Sequence, residues 1–146
     1  MKKKKKNEPI RVAVYGTLLT GEGNYAVGAD ALDRRPCRMS GTLYDPNGGW
    51  YPAFVPDGTE AFNVAGELLT VSEETFARLD GLEGYPNLYG RERVPVLLED
   101  GSRAEAWVYV MRRLPLRSVV IEGGDWRPYR REAEMPLAAH RSFGDR

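Results

Sequence analysis

The chain has 146 residues, enough for one domain with a substantial core and too few for a second of ordinary size. Its formal net charge is zero, but every lysine lies in Lys2–Lys6, so the remainder carries 16 Arg against 21 acidic groups, 16 − 21 = −5. An acidic body disfavours a nucleic-acid partner, because a groove that neutralises phosphates needs clustered cations.

With 42% hydrophobic and 10% aromatic residues the chain is globular rather than disordered. The single cysteine, Cys37, excludes an internal disulfide and a multi-cysteine zinc site. A Cys37–His140 nucleophile pair is formally available but disfavoured, since His140 lies in a charged terminal segment. No apolar run approaches the roughly 18 residues that span a bilayer. Asn7-Glu8-Pro9 follows the lysines where a secretory signal would carry its apolar stretch. The expectation is a cytoplasmic protein with no membrane partner, and no oligomeric state is specified.

Residues 1–9 form a lysine-rich tail of mutually repelling charge, expected to be disordered, and the folded domain is expected over 10–131 with a C-terminal extension at 132–146. Ile10 to Tyr15 alternates and is rich in β-branched residues, which predicts a strand ending at Gly16. Tyr25 to Leu32 is a weaker helical stretch. Strands are expected at 38–44, closed by the turn-rich Asp45-Pro46-Asn47-Gly48-Gly49, at 51–55, and at 61–71.

Ser72 is a good N-cap, Glu73 and Glu74 place negative charge in the first turn, and Phe76, Leu79 and Leu82 share a helical face. This helix is expected to end between Gly81 and Gly84. A hairpin joins Val94–Glu99 to Arg103–Met111 across Asp100-Gly101. In its second strand Trp107 and Tyr109 share one face, which could line a pocket. Five to seven strands with one or two helices predict an α+β fold, a mixed sheet curled into a small barrel.

Three features can carry chemistry. Tyr15-Gly16-Thr17-Leu18 leads into a glycine-containing loop, Gly21-Glu22-Gly23-Asn24, whose amides could turn toward one anion. It lacks the Gly-Lys-Ser/Thr of a P-loop and the rest of a dinucleotide fingerprint, and a simple strand-to-loop turn is the alternative. Glu83 follows the helix, where the negative end of the dipole opposes ionisation and would make a better base, with Asp80 as its competitor. Tyr85, Tyr89, Trp107, Tyr109 and Trp126 cluster around these segments; the tryptophans read first as core, while the phenols can also bond a substrate.

In order along the chain, Tyr15-Gly16-Thr17-Leu18, Gly21-Glu22-Gly23-Asn24, Gly41-Thr42-Leu43-Tyr44, Tyr51-Pro52-Ala53, Gly66-Glu67-Leu68, Leu79-Asp80-Gly81-Leu82-Glu83-Gly84-Tyr85-Pro86 with Tyr89 and Arg91, and Gly124-Asp125-Trp126 resemble the γ-glutamylcyclotransferase-like family, especially its γ-glutamylamine cyclotransferase and AIG2-like branch. The resemblance covers roughly 10–131. It implies a small mixed β-barrel with flanking helices and an intramolecular reaction, in which the α-amino group of a γ-glutamyl unit attacks its own γ-carbonyl to leave 5-oxoproline and a free amine. It implies Glu83 as the catalytic carboxylate, Tyr15, Gly16, Thr17 and Leu18 as the substrate-holding loop, and no metal or cofactor. The loop amides would hold the α-carboxylate or the developing oxyanion, with Tyr89 and Tyr109 as further lining residues. Two departures stand out: Leu19-Thr20 replaces a basic residue frequent after the first motif, and Gly123 replaces a frequent serine. The alternatives are a noncatalytic binding module of the same fold and an enzyme removing a γ-glutamyl mask during metabolite biosynthesis.

Overall fold

The computed structural model of the protein describes residues 9–132, so the Lys2–Lys6 run and His140 lie outside the described residues. The first strand, β1 (Ile10–Val14), buries Val12, Ala13 and Val14. It pairs antiparallel with β5 (Val64–Val71), Val12 opposite Leu69, and parallel with β7 (Arg103–Met111), Val12 opposite Trp107. With β2 (Asp33–Met39) and β6 (Tyr89–Leu98) these strands close a mixed barrel in the order β1-β5-β2-β6-β7. A second sheet orders β4 (Ala53–Pro56), β3 (Gly41–Asp45) and the short β8 (Val119–Val120). The expected α+β barrel is therefore present, with five strands in the barrel and three outside it.

The strand expected at 38–44 is two strands in different sheets. Ser40 marks the break, its buried hydroxyl accepting the Phe62 amide at 2.8 Å. A Cβ on Gly41 would stand 2.3 Å from the Val55 carbonyl oxygen, so only glycine lets β3 and β4 approach this closely. β2 also begins earlier than expected, with Pro36 in the half that pairs with β5 alone, before β6 joins at Cys37. β5 begins at Val64 rather than 61, because Phe62 turns left-handed (φ 47°) and the Asn63 side chain bonds both the amide and the carbonyl of Gly41. β4 likewise begins at Ala53, two residues after the expected start.

The helix α1 (Glu73–Glu83) has the expected ends. Ser72 Oγ accepts the Thr75 amide at 3.1 Å, and Gly84, left-handed at φ 68°, donates back to Asp80 and Gly81. Thr75 and Leu79 are its buried residues. Leu82 departs from the expected apolar face and is exposed. The hairpin turn is at Asp100-Gly101, where Asp100 accepts the Ser102 amide, but β6 starts five residues before the expected strand. The weak stretch after residue 25 is a single 3-10 turn, Tyr25–Gly28. A second helix, α2, begins at 126 with Trp126 wholly buried.

Candidate active site

β1 delivers the chain into Tyr15-Gly16-Thr17-Leu18 at the end of the barrel, and α1 delivers Glu83 toward the same place. The seven residues to which the family resemblance gives a catalytic, substrate-holding or lining role, Tyr15, Gly16, Thr17, Leu18, Glu83, Tyr89 and Tyr109, line one cavity of about 290 Å³, whereas Asp80, Tyr85, Trp107 and Trp126 do not. Ala13 and Val14 of β1, with Asn24, complete its inner wall, and Trp50, Tyr51, Pro52, Leu82 and Leu88 its outer part.

The loop is held from behind. Glu67 of β5 accepts Thr20 N at 3.0 Å, Thr20 Oγ1 at 3.2 Å and Arg34 Nη1 at 2.6 Å, with Arg127 3.6 Å from its other oxygen. Arg34 also donates to the Leu18 carbonyl at 3.2 Å and lies 4.6 Å over the Tyr25 ring. Thr17 is fixed through Asn24, which donates its amide to the Thr17 carbonyl at 2.7 Å and its Nδ2 to Thr17 Oγ1 at 3.0 Å. These bonds engage the loop's carbonyls. Among the described residues no acceptor is bonded to the amides of Gly16, Thr17 and Leu18, so three successive donors stand open in residues that line the cavity. Of the two residues after this motif, Leu19 is fully buried and Thr20 engages Glu67. Glu67 and Arg34 were not singled out from the sequence as supports; their signal was only the placement of Glu67 between glycine and leucine in a strand.

Glu83 is half-buried, and among the described residues none makes a hydrogen bond or ion pair to its side chain. Burial pushes its carboxyl up to about 7. The direction is the one expected from the sequence, but desolvation rather than the helix dipole is the cause. The three tyrosines around it have raised pKa values, first through their own burial, and each also feels the Glu83 charge. They are neutral phenols able to donate. Tyr15 donates to the Tyr109 carbonyl at 2.7 Å and Tyr89 to the Pro52 carbonyl at 3.2 Å, which ties the barrel end to the segment before β4.

Asp80, the competing carboxylate, is occupied elsewhere. Arg91 grips it through two bonds of 3.0 Å, and Tyr109 donates to it at 2.6 Å. The Arg91 guanidinium in turn lies 4.1 Å over Tyr85, 4.4 Å over Phe76 and 4.8 Å over Trp107. The aromatic face of β7 is thus divided: Tyr109 lines the cavity, whereas Trp107 covers Arg91 outside it. Trp126 is core, its Nε1 donating to Glu22 at 3.2 Å, and Arg130 reaches the same oxygen at 2.8 Å. The Gly124 before it is required, because a Cβ there would stand 2.2 Å from the Asn63 carbonyl oxygen. Cys37 is buried, and burial pushes its thiol up to about 12, so it is an inert core residue.

The segment between β3 and β4 supplies Trp50 and Tyr51, the latter expected from the sequence to open the strand. Asp45 organises it by accepting the amides of Asn47 at 3.1 Å and Gly49 at 2.9 Å, and it also accepts the Tyr129 hydroxyl of α2. No helix of the described residues is long and apolar enough to cross a membrane.

Residues 12–128 match the family described as Gamma-glutamyl cyclotransferase, AIG2-like. A protein of Methanocaldococcus jannaschii named "Putative gamma-glutamylcyclotransferase" is 34% identical over 77 residues, which span 53% of this chain and 62% of that protein. The gamma-L-glutamyl-butirosin B gamma-glutamyl cyclotransferase of Niallia circulans is 37% identical over 124 residues, covering 80% of this chain and 75% of its own length. Among solved structures, an AIG2-like protein from Mus musculus superimposes with a TM-score of 0.64 at 26% identity, over 73% of this chain and 79% of that one. With the match running through nearly all of the barrel and the cavity, the chain belongs to the AIG2-like γ-glutamyl cyclotransferase family.

Proposed function

We propose that the protein, through a unit spanning residues 10–131, converts a γ-glutamyl amine or amide into 5-oxoproline and the free amine, with Glu83 as general acid and base. The observation that carries this reading is a carboxyl poised near neutrality in the same cavity as three open amides. Nucleophile and electrophile belong to one molecule, so the enzyme has to hold a bent near-attack conformer and move protons. Glu83, as carboxylate, takes a proton from the substrate α-ammonium. The freed amine forms a bond to the γ-carbonyl carbon, and the carbonyl oxygen takes up negative charge that backbone amides of Gly16 to Leu18 can stabilise. When the bond from that carbon to the departing nitrogen breaks, Glu83 gives its proton to that nitrogen; the carboxylate so regenerated takes the second proton from the ring nitrogen, leaving the lactam N–H, and passes it to the released amine, which departs as an ammonium. Atoms and charge balance without water. A cytoplasmic location, expected from the single cysteine and the lack of a long apolar run, belongs to the same reading.

The test is 5-oxoproline release from a panel of γ-glutamyl compounds. Glu83→Gln keeps the shape of the side chain and removes its proton chemistry, and is expected to lower kcat by about 10²–10⁴-fold with an unchanged circular dichroism spectrum. Full activity in that variant would remove Glu83 from the chemistry. No release by wild type from any compound would favour the noncatalytic binding module. A second reading, removal of a γ-glutamyl mask from an amine-bearing metabolite, is favoured by the Niallia circulans relative, whose named substrate is γ-L-glutamyl-butirosin B. The two readings share every step above and differ only in the amine released.

A further inference from the structure

Beyond the γ-glutamyl half, the cavity has a wall of its own. Tyr15, Tyr89 and Tyr109 are buried, and with the loop amides and Glu83 they form the inner part, where the reacting γ-glutamyl unit has its donors and its base. The outer lining, beside Tyr51 and Pro52, includes Trp50, Leu82 and Leu88, with relative exposures of 76%, 40% and 55%. Large apolar side chains left this open beside a cavity are a binding surface awaiting an apolar group.

Two further observations define the occupant. First, the lining, among the described residues, contains no Lys, Arg or His, and Glu83 is its one acidic group. A leaving group with a carboxylate would find no cation there, and open amides that could hold an anion belong to the γ-glutamyl end. A leaving group with a second ammonium would find no acidic partner apart from the reacting glutamate itself. Second, the wall is preformed: Asp45 fixes the turn that precedes Trp50 through the Asn47 and Gly49 amides, and Tyr129 secures Asp45 from α2. Leu82 rides on the last turn of α1, and Leu88 is held by its amide to the Gly84 carbonyl at 2.8 Å.

We propose that Trp50, Leu82 and Leu88 form a leaving-group subsite selective for an amine whose substituent is uncharged and apolar, such as an arylalkyl or branched alkyl amine, over an amino acid or a polyamine. This rests on the cyclotransferase reading and names its substrate class. The bonds made and broken are those given above, and the subsite acts by burying the apolar body of the amine, an effect that grows with the area covered.

The experiment compares kcat/KM for 5-oxoproline release from four probes: γ-glutamyl phenethylamide, γ-glutamyl methylamide, γ-glutamyl phenylalanine and γ-glutamyl 4-aminobutylamide. The phenethylamide is expected to exceed each of the others by about tenfold or more. Trp50→Ala and Leu88→Ser are expected to shrink the phenethylamide-to-methylamide ratio toward unity; both positions are exposed, and a thermal melt verifies that each variant is folded. Equal or better turnover of the phenylalanine or aminobutyl probe overturns the subsite while leaving the cyclotransferase reading standing. So does a phenethylamide preference that both variants retain in full. Release of 5-oxoproline from none of the four overturns the subsite, and release from no member of the wider γ-glutamyl panel overturns the reaction itself.

Discussion

Glu83 carries a linkage between protonation and folding that can be measured without any substrate. In the folded protein burial holds its carboxyl near 7 against an ordinary 4.5. Between those two values the folded state binds more protons than the unfolded chain, so stability falls as pH rises through this window and the loss is complete above it. The gap amounts to about 3 kcal/mol. Glu83→Gln, which cannot ionise, is therefore expected to be more stable than wild type at pH 8 by up to about 3 kcal/mol and nearly equal at pH 4. Urea denaturation at the two pH values checks this, and a difference that does not change with pH would contradict it. Under the proposed reaction the same ionisation acts on activity in the opposite sense. The base form is present above the folded pKa, so kcat/KM should fall as pH drops below about 7. A group that costs stability in the ionisation state that the proposed reaction requires is what is expected of a reactive residue rather than a structural one.

At the scale of elements, α1 must hold its last turn still for Glu83 to face the loop, and the Asp80–Arg91 clasp does so from three residues away. Its side chains are 22% and 16% exposed, and the guanidinium is enclosed by Phe76, Tyr85 and Trp107. Arg91→Met would leave Asp80 with the Tyr109 hydroxyl as its remaining partner, a cost of about 2–4 kcal/mol by chemical denaturation. Because it also frees the turn carrying Glu83, kcat is expected to fall more than KM rises. An exposed pair such as Arg35–Asp33 offers the contrast, since Arg35→Met should cost less than about 1 kcal/mol.

The clasp also shows why the elements were unevenly legible in the sequence. α1 and β7 announced themselves through an N-cap, a regular spacing and a turn pair, all local chemistry. The early halves of β2 and β6 were masked by Arg34, Arg91 and their charged neighbours, which read as loop. In the folded chain Arg34 pairs with Glu67 and Arg91 with Asp80, so the partners that make these strands possible lie 33 and 11 residues away. Leu82 failed for the converse reason: the helical period predicts an apolar face, but α1 ends at the cavity rather than over the core, so its last apolar residue lines the cavity instead. The candidate site residues that share the cavity were named through a family pattern in sequence order, whereas Trp50 and Leu88 carried no local signal of their position.

For the molecule as a whole, the cavity exists because two bodies meet there: the barrel contributes the loop after β1, and the second sheet contributes the segment leading into β4. Gly16 marks that seam, since a Cβ on it would stand 2.6 Å from both Cγ and Cδ of Pro52. Gly41 marks the interior of the second sheet, where a Cβ would stand 2.3 Å from the Val55 carbonyl oxygen. The two clashes differ in kind. The proline ring can be pushed back with its loop, whereas Val55 is fixed by its pairing with Thr42 and cannot yield without parting β3 from β4. Gly16→Ala is accordingly expected to cost about 1–3 kcal/mol of stability. Its displaced Pro52 would withdraw the carbonyl that Tyr89 uses, widening the cavity and lowering kcat/KM by at least about tenfold, as misplacement of positioning groups does. Gly41→Ala is expected to reverse the balance, with the larger loss in melting temperature. Its surviving folded fraction should keep near-normal kcat, because no atom of Gly41 borders the cavity. Parallel thermal melts and 5-oxoproline assays on the two variants decide the matter: equal activity losses per unit of stability lost would mean that the seam has no part in shaping the site.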